Sequence, residues 1–184
     1  MRRFFILVSL VATLAGCSAS GASATSKPLA AHPTGQHQAL APLSIQAIAK
    51  KEALADNHAR IEKVLARVRH QVGKTWYVYS GASPAGWDCS GLVYWAYEQL
   101  KFHVKHSANA LAHTGRIVKT PKAGDIVTFG YRGSNSFFHA ALYLGDGKII
   151  HAGFYKGQRT TILKLTDPNL RGLQVRFTRL IDSN

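Results

Sequence analysis

Apolar residues recur at helical spacing between residues 61 and 72. Intervals of three, four and seven residues predict a helix that buries one face, with apolar positions at Ile61, Val64, Leu65, Val68 and Val72. Ser44 is a possible N-cap, and Gly73 follows the last apolar position. Residues 45–57 are rich in alanine and lysine with a weaker apolar stripe. We therefore expect residues 43–60 to form a separate or partly exposed helical segment.

A second helix is predicted over residues 90–100, where four apolar residues form one stripe, namely Leu92, Val93, Ala96 and Leu100. The period then changes to short alternating or fully apolar runs, which predict strands at residues 125–129, 138–144, 148–152, 160–165 and 173–181. Helices followed by a series of strands are typical of the α+β class. We expect N-terminal helices packed on a mostly antiparallel sheet of five to six strands.

The turn Gly145-Asp146-Gly147 joins two predicted strands that each contain a histidine, His139 and His151. A two-residue turn at Asp146-Gly147 would pair Gly145 with Lys148 and place the two histidines on opposite faces. A three-residue turn, with Gly147 in a left-handed bulge position, would pair Leu144 with Lys148. The histidines would then be diagonal neighbours on one face, about 5 to 8 Å apart. We predict the three-residue turn, because that arrangement suits a base and the group that orients it.

The N-terminus has the pattern of an export signal. Arg2 and Arg3 precede an apolar stretch, residues 4–14, that is too short to span a bilayer. The residues that follow, Leu14-Ala15-Gly16-Cys17, resemble the lipobox of bacterial lipoproteins, which implies cleavage after residue 16 and lipid on Cys17. An ordinary signal peptide cut after Ala24 is the alternative. Residues 17–42 are rich in Ser, Ala, Gly, Thr and Pro, and we expect them to be a disordered tether.

The size and the net charge of the chain limit the kinds of partner that it is expected to bind. The chain has 184 residues, of which 46% are hydrophobic, enough for one domain of ordinary size. Its 23 Lys and Arg against 9 Asp and Glu give a net charge of +14, which favours anionic surroundings such as nucleic acid, a membrane surface or wall polymers. The basic residues are scattered without interleaved aromatics, so nucleic-acid recognition has little support. We expect a monomer with no nucleic-acid partner, attached to the membrane through its lipid.

Cys89 is the one cysteine that a mature, exported chain could use as a free thiol. It stands at the start of the second predicted helix, where unpaired backbone amides and the helix dipole are expected to lower its pKa. Asp88 is a natural N-cap for that helix. A nucleophilic thiol also needs a base and a group that orients the base. His139 and His151 are the candidates.

Structural and metal-binding roles are the alternatives for Cys89, His139 and His151. A histidine in a strand is most often a structural residue when taken alone, but the combination with Cys89 favours chemistry. A zinc site of Cys89, His139 and His151 lacks a fourth protein ligand, so no metal and no other cofactor is expected. The remaining histidines of the folded part are expected to be surface or structural residues, namely His58, His70, His103, His106 and His113.

Four motifs, taken together, resemble the NlpC/P60 family of peptidoglycan-cleaving cysteine peptidases. They are Asp88-Cys89-Ser90-Gly91-Leu92, Ala123-Gly124-Asp125-Ile126-Val127, His139 before Leu142-Tyr143-Leu144-Gly145, and Ile150-His151-Ala152. The similarity runs from about residue 61 to 181, and the spacing is close to that of the Spr (MepS) type of lipoprotein endopeptidase. Three positions depart from the usual pattern and affect pocket shape: Ser80, Trp87 and Ala140.

The resemblance implies a papain-like core over residues 61–184, with Cys89 as nucleophile, His139 as base and His151 as the orienting third residue. It also implies that Tyr77 supplies a hydroxyl near the oxyanion. Asp88 and Ser90 either cap the helix or bind the amino end of a stem peptide. The implied activity is thioester-forming endopeptidase cleavage of the stem peptide or cross-link. A thiol amidase or acyltransferase, or a non-catalytic wall-binding lipoprotein, are the alternatives.

Overall fold

The structure is a computed structural model that describes residues 42–153 and 158–183. The predicted signal peptide, Cys17 and all but the last residue of the predicted tether lie outside these residues. Three helices and eight strands occur in the described part, in the order α1 Pro42–Arg69, β1 Ala82–Ser83, β2 Gly86–Trp87, α2 Cys89–Gln99, α3 Ala108–Leu111, β3 Arg116–Ile117, β4 Ile126–Tyr131, β5 Phe137–Gly145, β6 Lys148–His151, β7 Thr161–Lys164 and β8 Leu173–Arg179. A short 3-10 helix, Pro168–Leu170, precedes β8.

The strands β3 to β8 form one six-stranded sheet in the order β3-β8-β4-β5-β6-β7, and every pairing in it is antiparallel. The predicted α+β class is therefore confirmed. The five predicted strands correspond to β4 through β8 with small differences at their ends. The two-residue strands β1, β2 and β3 were not predicted, because so short a strand leaves no periodic signal.

Helix α1 is one continuous helix of 28 residues, and its two halves have different surroundings. It begins at Pro42, so Ser44 lies inside it and the N-cap predicted there is wrong. Its second half buries the predicted face, with Leu65 2% and Val68 0% exposed. In the first half, Ile45 is 59% exposed and Ile48 49%. No helix of the described residues is long and apolar enough to cross a membrane.

The sheet is covered on both faces. On one face α1 and α2 pack over Ala140, Leu142 and Ile150. On the other face a smaller apolar cluster forms around Val127, Phe129, Ala141, Tyr143, Ile149 and Leu170. Because β5 is buried on both sides, its sequence is almost continuously apolar instead of alternating. His139 interrupts that run and is nevertheless 3% exposed.

A buried ion pair fixes the start of β4 beneath α2. Two carboxylate oxygens of Asp125 accept hydrogen bonds from Nε and Nη2 of Arg179, at 2.8 and 2.7 Å. The backbone N–H of Lys122 also donates to Asp125, so the residue makes the predicted turn as well. The Tyr97 hydroxyl donates to the Gly124 carbonyl at 2.9 Å. These contacts tie α2 to the sheet that carries the two histidines.

The β5–β6 turn differs from the one predicted, but the consequence for the histidines holds. Gly145 pairs with Lys148 around a two-residue turn, in which Asp146 and Gly147 have φ of +50° and +68°. That turn alone would place the histidines on opposite faces. A bulge between Tyr143 and Gly145 adds one residue to β5 and pairs Leu142 with Ile150. His139 and His151 therefore lie diagonally on the same face.

Candidate active site

Cys89 is the first residue of α2, and the start of this helix is held by several hydrogen bonds. Asp88 has extended backbone angles and accepts from the Gly91 N–H at 2.7 Å, which is N-cap geometry as predicted. The Asp88 N–H donates to the Gly81 carbonyl at 3.0 Å. A Cβ on Gly91 would collide with that same carbonyl oxygen, so only glycine allows the preceding loop to approach so closely.

The two histidines form a buried hydrogen-bonded pair. Nε2 of His139 lies 3.0 Å from Nδ1 of His151, with ring centroids 5.0 Å apart and ring planes at 85°. His139 is 3% exposed and His151 is 1% exposed. The β5–β6 register agrees with the predicted diagonal placement of the two histidines on one face, and their side chains meet at hydrogen-bond distance. The two rings therefore contact each other through their facing nitrogens.

The Cys89 thiol contacts the backbone of β5 near the end of the neighbouring strand β6. The backbone N–H of Ala140, the residue after His139, is within hydrogen-bond reach of the Cys89 sulfur. Strand β6 ends at His151, and the β5–β6 register places His151 opposite Ala141. The backbone N–H of Ala140 therefore lies past the end of β6. The thiol therefore lies against the backbone of the residue next to His139.

Burial governs the charge state of these groups. It raises the pKa of Cys89, the Asp88 carboxylate adds to this, and hydrogen bonds from the backbone of Ala140, Ser90 and Cys89 only partly oppose it. The prediction that the helix start would lower this pKa is therefore wrong, because it ignored tertiary burial. Burial and then the charge of His151 hold the pKa of His139 well below the ordinary value of about 6.5. Burial lowers the pKa of His151 to about 4.

Both histidines and the thiol are consequently neutral at neutral pH. A neutral imidazole has one nitrogen that can accept a proton. The arrangement can thus supply a base while the thiol and both imidazoles are uncharged. Within the described residues, no group of three or more His, Cys, Asp or Glu side chains is placed to hold a metal ion.

A cleft of about 320 Å³ opens at the start of α2, and the residues at its base and rim include Tyr77, Asp88, Cys89, Ser90, His106 and Phe138. Tyr77 is positioned by a backbone bridge to Trp87, whose indole N–H donates to Thr160 at 2.7 Å. Burial, and then the negative charges of Cys89 and Asp88, raise the pKa of Tyr77. The Tyr77 hydroxyl therefore keeps its proton and can act as a donor beside the thiol.

Asp88 has more partners than a cap requires. One oxygen also accepts from Ser90 Oγ at 3.0 Å and contacts Nε2 of His106 at 2.8 Å, while the other accepts from the Ser80 N–H at 3.0 Å. Burial opposes ionisation of this carboxyl, but hydrogen bonds from His106, Gly91 and Ser90 outweigh it and lower its pKa. Of the six residues predicted for the site, Tyr77, Asp88, Cys89 and Ser90 line this cleft. His139 and His151 form the buried pair and do not line it; the link to the cleft is the backbone N–H of Ala140 on the Cys89 sulfur.

His106 is a site residue that the sequence did not reveal. It contacts Asp88, lines the cleft and stacks on Tyr94 at 5.8 Å between ring centroids. No local pattern distinguishes it from His103, whose side chain is 88% exposed. Only the fold, which returns the chain to the start of α2 before α3, distinguishes the two histidines.

The fold and the cleft define a papain-like α+β domain with a cysteine at a helix start. The sequence profile described as the NlpC/P60 family matches residues 73–178, which is more than half of the chain. The chain therefore belongs to the NlpC/P60 family, as the motifs around Cys89, His139 and His151 predicted.

Two curated relatives and one solved structure illustrate the similarity. A probable endopeptidase of Mycobacterium tuberculosis is 44% identical over 87 residues, 46% of this chain and 21% of the relative. The murein DD-endopeptidase MepH of Escherichia coli is 34% identical over 125 residues, 62% of this chain and 45% of MepH. The match to the first relative thus spans about a fifth of its length.

The solved structure is that of RipD from Mycobacterium tuberculosis, described as a non-catalytic NlpC/p60 domain protein adapted to peptidoglycan binding. It is 20% identical, with a TM-score of 0.54, over 66% of this chain and 97% of RipD. At that identity the similarity establishes the fold alone.

Proposed function

We propose that this chain hydrolyses a peptide bond in the stem peptide or cross-link of peptidoglycan, with Cys89 as the nucleophile. The observation that carries the proposal is the buried His139–His151 pair, 3.0 Å between ring nitrogens, together with the Cys89 sulfur at the backbone N–H of Ala140, the residue after His139. Relatives that are named endopeptidases support it. A structural histidine pair would not require a cysteine against the neighbouring backbone.

The histidine pair sets the proton path. When the Nε2–H of His139 donates a hydrogen bond to Nδ1 of His151, the Nδ1 of His139 keeps a lone pair. That nitrogen takes the proton from the Cys89 thiol, and the sulfur attacks the carbonyl carbon of the substrate amide. The protonated His139 then gives its proton to the leaving amine as the C–N bond breaks. Water, deprotonated by the same nitrogen, attacks the thioester carbon; the C–S bond breaks, the acid is released, and protonated His139 returns the proton to the Cys89 sulfur.

The negative oxygen of the tetrahedral intermediate needs donors. The backbone N–H of Cys89 and the Tyr77 hydroxyl are the proposed pair, and the raised pKa of Tyr77 keeps its hydroxyl protonated. Removing one such donor typically costs about 10²-fold to 10³-fold in rate.

The cleft also offers a site for a cationic end of the substrate. Asp88 lines the cleft as an ionised carboxylate. Ser90 also lines the cleft, and its hydroxyl donates a hydrogen bond to Oδ1 of Asp88. We propose that Asp88, in addition to capping α2, receives the free amino end of a short stem peptide, with Ser90 holding the carboxylate in place. Such a pairing would favour peptides whose amino terminus is free.

Incubation of the purified protein with muropeptides, followed by mass spectrometry, tests the activity. We expect products that differ from the substrate by one water, and no products from protein alkylated beforehand with iodoacetamide. Addition of an amine acceptor distinguishes the alternatives, because an acyltransferase would give the substituted amide instead of the acid. Muropeptides that are bound but not cleaved by unmodified protein would contradict the proposal and indicate a non-catalytic wall-binding protein.

We further propose that the protein is exported and anchored to a membrane by lipid on Cys17. The support is the sequence alone: Arg2 and Arg3, the short apolar stretch, and the residues Leu14-Ala15-Gly16-Cys17. We expect intact-mass measurement of protein from its bacterial host to give a chain that begins at Cys17 and carries acyl groups. An unmodified chain that begins after Ala24 would contradict lipid anchoring but not export.

A further inference from the structure

A second concave surface lies along α1, apart from the Cys89 cleft. It consists of two depressions of about 530 and 230 Å³ that share Lys63 and Arg67 in their linings. The first also contains His70 and Trp95, and the second contains Arg60. We call these two depressions the α1 groove. None of the residues that line it is a carboxylate, and none lines the Cys89 cleft.

The basic residues of the α1 groove follow one face of the helix. Arg60, Lys63, Arg67 and His70 are separated by three or four residues. From Arg60 to His70 the row covers about 15 Å of helix. A row of that length suits successive charges along a chain better than it suits one small ion.

The guanidinium groups of the α1 groove contact mostly uncharged partners. The Arg67 guanidinium lies 4.9 Å from the centroid of the Trp95 ring and donates to Gln99 at 2.8 Å. Arg60 donates to the Leu100 carbonyl at 2.6 Å and has one carboxylate near it, that of Asp56 at 4.0 Å. Lys63 is exposed, and no ion pair of it occurs among the described residues. The α1 groove therefore carries positive charge that the folded domain does not neutralise.

The shape and the position of Arg67 restrict the anion. A flat bilayer cannot enter a concave groove, so a membrane surface fits poorly. Single-stranded nucleic acid relies on aromatic faces on which bases stack. The one aromatic side chain in the lining, Trp95, already has Arg67 over its ring. Guanidinium groups match phosphate oxygens in a two-pronged geometry that needs no base.

We propose that the α1 groove binds a linear phosphodiester polymer of the cell envelope. Binding at this surface would hold the domain on polymer that lies beside peptidoglycan, while the Cys89 cleft stays open. This binding rests on the proposed export of the protein but not on hydrolysis, since the two surfaces share no lining residue.

The probe is a poly(glycerol phosphate) of about ten units, and its affinity is measured by titration calorimetry at low and at moderate salt. The test variant is Lys63→Gln with Arg67→Gln, and the matched control is Lys119→Gln with Lys148→Gln, two exposed lysines outside the groove. Both variants lose two positive charges. We expect the groove variant to lose about tenfold or more in affinity and the control less than about threefold, with a weaker salt dependence for the groove variant only.

Several results would overturn the proposal. Equal losses in the two variants would mean that net charge alone attracts the polymer, and undetectable binding by the wild type would exclude the site. Groove-dependent binding of a ten-nucleotide thymidine oligomer, or of phosphatidylglycerol vesicles, that is tighter than binding of the polymer would assign the groove to nucleic acid or to membrane instead. Muropeptide turnover by the groove variant should stay within about twofold of wild type, so failure here is separable from failure of the proposed hydrolysis.

Discussion

Replacing Cys89 with alanine is expected to lower kcat/KM for muropeptide hydrolysis by at least about 10⁴-fold. Without the sulfur no thioester can form, and the remaining backbone donor and the cleft can only bind the substrate. The measurement is the rate of product formation by mass spectrometry under conditions where the wild-type protein completes the reaction.

The control is the other cysteine of the chain, Cys17. In detergent solution Cys17→Ala should hydrolyse muropeptides at the wild-type rate, because the proposed role of Cys17 is attachment and not chemistry. Circular dichroism of Cys89→Ala should show an intact fold, since Cys89 is partly exposed and its loss leaves no large cavity. Hydrolysis by Cys89→Ala within tenfold of wild type would exclude a thiol mechanism.

Local patterns in the sequence were sufficient for the elements that carry the site. Asp88 caps α2 where predicted, because capping depends on residues within one turn of each other. The strands β4 to β8 were found because each is long enough to show an apolar run. The shared face of His139 and His151 was also predicted, although by the wrong turn. A two-residue turn and one bulge shift the register by the same amount as the predicted three-residue turn.

Features that depend on distant parts of the chain could not be predicted. The pKa of Cys89 is raised by burial, which arises only when the rest of the domain packs around the start of α2. The helix start supplies backbone donors to the sulfur, but burial outweighs them. His106 reaches Asp88 across 18 residues of sequence, and no local pattern marks such a contact.

Because the thiol and both histidines are neutral in the resting site, the nucleophile is not a preformed thiolate and has to be activated in another way. A preformed thiolate would need a nearby cation, but burial and His151 disfavour a charged His139. We therefore expect the proton to move from Cys89 to His139 only when the substrate carbonyl is in place. The cost of that transfer falls on the chemical step, so changes to the histidine pair should affect kcat more than KM.

Replacing His139 with alanine is accordingly expected to lower kcat by about 10²-fold to 10⁴-fold, the usual contribution of a general acid and base. His151→Ala should cause a smaller loss, because it removes the partner that orients the ring and leaves the base. His151→Asn should recover part of it, since an amide oxygen can accept the Nε2 proton of His139.

The pH profile separates this role from a structural one. A base works only when it is deprotonated, and the pKa of His139 is held well below 6.5, so the acid limb of kcat/KM for the wild type should lie below pH 6.5. The charge of His151 is one of the two causes that lower the pKa of His139. His151→Ala removes that charge, so the acid limb of kcat/KM should move to higher pH. Circular dichroism across the same range shows whether each variant stays folded. A limb that lies above pH 6.5 in the wild type, or that does not move in a folded His151→Ala, would contradict the assignment of His139 as the base and His151 as its partner.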